Sequence, residues 1–105
     1  MLVRAGPGSE EAEEALSLAR QWSIEHARAL LFFHGPGLEH ARPENRSDFA
    51  TLAGNDLTLC VCRAGWQRLK CGEPPPPFFE GSLVQFWDAA LAAETMRSFG
   101  ALRDE

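Results

Sequence analysis

The chain lacks any apolar stretch long enough to cross a membrane. No apolar run exceeds five residues, the length of Ala29-Leu30-Leu31-Phe32-Phe33, whereas a spanning helix needs about 20 such residues. The opening MLVRAGPG has no apolar segment of the kind a secretory signal carries, so the expected location is cytoplasmic. Basic residues are in the minority: ten Lys and Arg stand against fifteen Asp and Glu, for a net charge of −5. Binding along a phosphate backbone depends on clustered cations, so direct nucleic-acid binding is not expected. Cysteine is scarce too. Three is an odd number in a chain with no signal-like start, which makes free thiols the default and argues against a disulfide framework.

What is present is a globular composition. The 105 residues are 45% hydrophobic and 24% charged, enough for one core. No repeat and no linker divides the chain, so residues 1–105 are expected to form a single domain.

Leu2-Val3-Arg4-Ala5 reads as a short first strand, broken by Gly6-Pro7-Gly8. Ser9 is placed to cap a helix whose first turns hold Glu10, Glu11, Glu13 and Glu14, carboxylates that oppose the helix dipole. Ala12, Ala15, Leu16 and Ala19 recur at helical spacing and predict a helix from about Ser9 to Ser23. The run ALLFFH predicts a buried strand of a parallel sheet. Leu38 to Asn45 reads as a loop, and Ser47 to Ala53 as a short helix. Leu57 to Cys62 is the next strand. Ala64 to Lys70 is a helix of about two turns, weakened by Gly65. After a stiff loop of four prolines, Pro74 to Pro77, a helix opens at Gly81-Ser82, and Thr95 to Phe99 closes as a strand. Arg103-Asp104-Glu105 is an expected frayed tail. The alternation implies an α/β fold with a mostly parallel sheet.

Several constellations carry little chemistry. The strand–GPGS–helix junction lacks the Lys-Ser/Thr ending and glycine spacing of a phosphate loop, and its glutamates repel phosphate. Cys60-x-Cys62 lacks the usual gap of zinc ligands, and Cys71 has no second cysteine beside it. His26, His34 and His40 are scattered and read as surface or capping residues, although His34 ends a strand that can share an edge with Cys62. No metal or other cofactor is expected. Phe78 and Phe79 leave two readings open: anchors for a subunit contact on an exposed loop, or a lid folded onto the core.

The stretch LTLCVCRAGWQRL holds the strongest candidates. Cysteine in an apolar strand is commonly a small buried hydrophobe. Cys60 and Cys62 nevertheless share one face of the strand, because side chains alternate. Their Cα atoms stand about 6.6 Å apart in an extended strand. That is near the upper limit for a disulfide, and the Cβ vectors are parallel, so a bond between them needs a distorted backbone. Sites in open α/β sheets lie at the carboxyl ends of strands. Here such an end meets a helix start, with Arg63 next in the chain as the candidate for stabilising a thiolate. A thiolate can take sulfur from a donor and hold it as a persulfide.

The order of four segments resembles the DsrE family of sulfur-transfer proteins, most closely the relay subunits of tRNA 2-thiolation and their counterparts in sulfur oxidation. The segments are the first strand with Gly6-Pro7 and its Ala-rich helix, ALLFFHGPGLEHA, LTLCVC, and FFEGSLVQFWDAALAAETMRSFG. The resemblance implies a three-layer α/β/α fold with about four to five strands. It implies that Cys60, after Leu57-Thr58-Leu59, accepts sulfur as a persulfide and passes it to a partner cysteine. It also implies sulfur donor and acceptor proteins as partners, and a homo- or hetero-oligomer such as a hexamer. The chain departs from the family at RAGWQRLKCG, where a basic Arg-Arg-Gly-type ending is usual, and in its extra Cys62. Strand-end geometry alone favours Cys62 as the reactive thiol; the resemblance favours Cys60. Two rival readings are a non-catalytic subunit of a hetero-oligomer and a thiol redox or metal sensor using Cys60, Cys62 and Cys71.

Overall fold

Five strands form one parallel sheet in the computed structural model, which describes residues 1–45, 47–53, 57–70, 72–82 and 98–99. They are β1 (Leu2–Val3), β2 (Ala29–Phe33), β3 (Leu57–Cys62), β4 (Phe78–Gly81) and β5 (Ser98–Phe99), in the order β4-β3-β2-β1-β5. Every neighbouring pair is parallel. With helices α1 (Glu10–Ile24) and α2 (Arg63–Arg68), the chain is an α/β protein, as the alternation implies. Cys71, the helix expected after Gly81-Ser82, residues 95–97 of the closing strand and the tail lie outside the described residues. Among the described residues no helix is long and apolar enough to cross a membrane.

Helix α1 forms where its cap and periodicity place it. The Ser9 Oγ accepts a hydrogen bond from the Ala12 amide at 3.2 Å and donates to the Gly6 carbonyl at 2.8 Å. This ties the helix start to the turn before it. Ala12, Ala15, Leu16 and Ala19 are the buried residues, one stripe at i, i+3, i+4 and i+7.

In-register residues of a parallel sheet share a face, so the pairing sorts the sheet into two sides. Val3, Phe33, Val61, Leu59 and Phe78 belong to the first side by register. The Phe33 ring meets those of His40, Phe49 and Phe78, at centroid distances of 5.7, 5.2 and 5.5 Å. These edge contacts make Phe33 the hub of the core.

Two expectations need correction here. The segment read as a loop, Leu38 to Asn45, is wound into 3-10 turns at Gly35–Ala41 and Pro43–Asn45 that bury Leu38, His40 and Ala41. The reason lies in Gly37, whose bare Cα lets the turn lie against β1. A Cβ built there comes 2.0 Å from the Val3 carbonyl oxygen, which no side chain tolerates. The short helix expected from Ser47 to Ala53 is present as a 3-10 turn over Asp48–Leu52, and it sends Phe49 into the core.

The second correction concerns Phe78-Phe79. The pair is neither an exposed loop nor a lid; it begins β4 and pairs with Leu59 and Cys60. Strand alternation sends Phe78 inward, whereas Phe79 is 62% exposed. Phe78 therefore joins the core and Phe79 lies at the surface, both on a strand.

Helix α2 starts at Arg63, directly from the last residue of β3. Gly65 has a packing reason: a Cβ there comes 2.7 Å from the Leu38 Cδ1. Its absence lets α2 settle on the 3-10 turn. Trp66 is fully buried, and its indole N–H donates to the Gly72 carbonyl at 2.9 Å.

Candidate functional site

The second side of the sheet carries the thiols. Leu2, Phe32, Cys60 and Phe79 stand in one cross-strand row. One step toward the carboxyl ends, Cys62 pairs with Gly81. His34 follows Phe33, the partner of Val61, so the register carries it level with Cys62. The His34 amide donates to the Val3 carbonyl at 3.1 Å, which holds it at the end of the ladder, level with Arg4. The chain steps from β1 through β4 in one direction across the sheet and then returns past β1 to β5. Crevices of open α/β sheets open at carboxyl ends where the strand order reverses. That reversal falls between β1 and β5, so the end of the β3–β4 pair, with Cys62 and Gly81, lies at the carboxyl edge but away from it.

The two thiols differ in access. Cys60 is half-buried, whereas Cys62 is 6% exposed. Gly65 of α2 closes over Cys62: a Cβ at Gly65 lies 3.9 Å from the Cys62 Sγ. The Cys60 Sγ lies 3.8 Å from the Val61 carbonyl oxygen, a long and weak sulfur contact. Both cysteines are free thiols.

Electrostatics oppose ionisation of Cys60. Burial pushes its thiol above the ordinary cysteine value, and a charge on Cys62 pushes the same way. Arg63 pulls it down, as expected of a cation beside a thiol, but it is outweighed. Arg63 is exposed and heads a helix of six residues, so water screens it and the helix adds only a small dipole. His34 is held neutral by burial, and by the positive charges of Arg4 and Arg68.

His40 was read as a surface or capping residue; it is buried instead. Its ring packs against Phe33 and Phe49, and its Nε2 donates to the Ala5 carbonyl at 2.8 Å. Phe79 was read as a candidate subunit-contact anchor, but its place beside Cys60 was not foreseen. Its signal was available in the step from Phe78 to Phe79 after the proline run, once FFEG is read as a strand. Among the described residues, no three His, Cys, Asp or Glu side chains gather as a metal ion requires.

The assembled site is a half-open thiol on an inner strand of a parallel sheet, with a second thiol two residues nearer the carboxyl end. No family model, curated protein or solved structure matches the chain.

Proposed function

We propose that the protein is a sulfur carrier of the DsrE type, in which Cys60 holds transferable sulfur as a persulfide. The supporting observation is the partly buried Cys60 thiol on an inner strand, beside the exposed Phe79. The Cys60 thiolate attacks the terminal sulfur of a donor persulfide. A new S–S bond forms on Cys60, the donor's S–S bond breaks, and the donor leaves as a thiolate. The reverse exchange hands the sulfur to an acceptor cysteine. Extended β3 geometry keeps Cys60 and Cys62 from closing a relaxed disulfide, so Cys62 does not readily discharge the persulfide. The proposed setting is cytoplasmic tRNA 2-thiolation or sulfur oxidation, with donor and acceptor proteins and other subunits as partners.

Cold cyanide tests the loaded state. It removes the terminal sulfur of a persulfide as thiocyanate and leaves a thiolate. Protein treated with a persulfide donor and freed of it should yield one equivalent of thiocyanate, and Cys60→Ser should yield none. Equal yields from both would remove Cys60 from the role.

A second reading is favoured by one observation. The raised Cys60 pKa suits a cysteine that packs and does not react, as in a non-catalytic subunit of a hetero-oligomer. The same cyanide assay then gives no thiocyanate from any form of the protein.

A further inference from the structure

We propose that Cys60 and Cys62 together hold one soft monovalent metal ion of the copper(I) class, as a site of two sulfurs. Both are free thiols on the same face of β3. An extended strand sets their Cα atoms about 6.6 Å apart with the Cβ vectors parallel. A disulfide needs its sulfurs about 2.0 Å apart, which that backbone does not allow without distortion. An ion held between two thiolates asks for less. Two metal–sulfur bonds of about 2.3 Å in line put the sulfurs about 4.6 Å apart. Rotation about χ1 swings each sulfur along the strand, so the pair reaches that span while β3 stays extended. The spacing that excludes a disulfide thus suits a bridging ion.

The donor set selects the ion. Thiolate sulfur is a soft ligand and prefers soft ions. Zinc needs four ligands, and calcium and magnesium need oxygens. Among the described residues no three His, Cys, Asp or Glu side chains gather to meet either need. An ion of the copper(I) class has a filled d shell and is satisfied by two sulfurs in line.

Charge favours the same ion. A charge on Cys62 opposes ionisation of Cys60, so the bare thiolates repel, and a cation between them removes that repulsion. Two thiolates and one monovalent ion leave one negative charge, which Arg63 favours at Cys60. Binding forms two metal–sulfur bonds and releases both thiol protons to water, with no transfer of electrons. The ion enters from the Cys60 side. That thiol is half-buried and gives up only a weak contact with the Val61 carbonyl at 3.8 Å, whereas Cys62 lies under Gly65. A bound ion occupies the sulfur that a carrier role needs and so blocks sulfur loading. The site itself rests on the geometry of β3 and stands whether or not Cys60 carries sulfur.

The test is an anaerobic titration of the whole reduced protein with copper(I) held by the coloured chelator bicinchoninate, whose absorbance reports the copper it keeps. One equivalent should pass to the wild type and to Cys71→Ser, and none to Cys60→Ser or Cys62→Ser. X-ray absorption of the loaded wild type should show two sulfur neighbours, a readout that needs no variant to fold. No transfer to the wild type, retention by Cys60→Ser or Cys62→Ser, loss in Cys71→Ser, three sulfur neighbours, or one ion shared by two chains overturns the proposal.

Discussion

Cys60 is a thiol whose surroundings resist its ionisation, and its reactivity should show this. Burial comes first, the neighbouring Cys62 second, and Arg63 works against both. The thiolate fraction at neutral pH is therefore below that of a free cysteine, and alkylation should keep accelerating above the ordinary cysteine range. Arg63→Gln removes the one opposing charge. It should slow iodoacetamide labelling of Cys60 at pH 8 by about two- to threefold, the modest effect of an exposed charge. Cys62→Ser removes the repelling neighbour and should speed labelling. An ordinary cysteine titration curve, unchanged in both variants, contradicts this account. The shared face of the two cysteines was legible from strand alternation. Their unequal access was not, because it depends on α2 turning back over Cys62 through Gly65, a contact between packed elements.

At the scale of elements, β4 and the 3-10 turn after β2 carry the sharpest expectations. Phe78→Ala should lower stability by about 3–5 kcal/mol, the usual effect of emptying a buried aromatic site. Phe79→Ser, one residue later and exposed, should change it by less than about 0.5 kcal/mol. Chemical denaturation of the two variants reads the difference, and equal losses would place the strand wrongly. Gly37→Ala pushes a methyl into the Val3 carbonyl and should cost about 1–3 kcal/mol or more by the same measurement. The long elements were legible: Ser9 capping, the Ala12–Ala15–Leu16–Ala19 stripe and the apolar runs of β2 and β3 all carry a full period of pattern. The turn at Gly35–Ala41 and strand β4 were not. The turn depends on one close approach between Gly37 and β1, and four residues of β4 are too few to show a period.

For the whole molecule, three bases are shifted toward their neutral forms, chiefly by burial. The α-amino group of Met1 donates to the Leu30 carbonyl at 2.7 Å, and burial lowers its pKa from 8.0 to about 6. His34 and His40 are shifted down as well, both chiefly by burial. A base with a lower pKa in the folded state binds protons more readily when unfolded, so stability falls as pH falls. For the amine, the loss develops between pH 8 and about 6 and amounts to on the order of 2 kcal/mol. The histidines add to it below about pH 6.5, the unfolded histidine value. Denaturation midpoints measured at pH 8, 7 and 6 should decrease in that order. A flat profile means these groups keep ordinary pKa values.

The central claim is that Cys60 carries sulfur, and intact-mass spectrometry after incubation with a cysteine desulfurase and cysteine tests it most directly. The wild type and Cys62→Ser should each gain the mass of one sulfur atom, lost on reduction, and Cys60→Ser should gain none. A gain in Cys60→Ser with loss in Cys62→Ser would move the site to the buried thiol. No gain in any of the three, with a known carrier loaded by the same donor, would contradict the sulfur-carrier account.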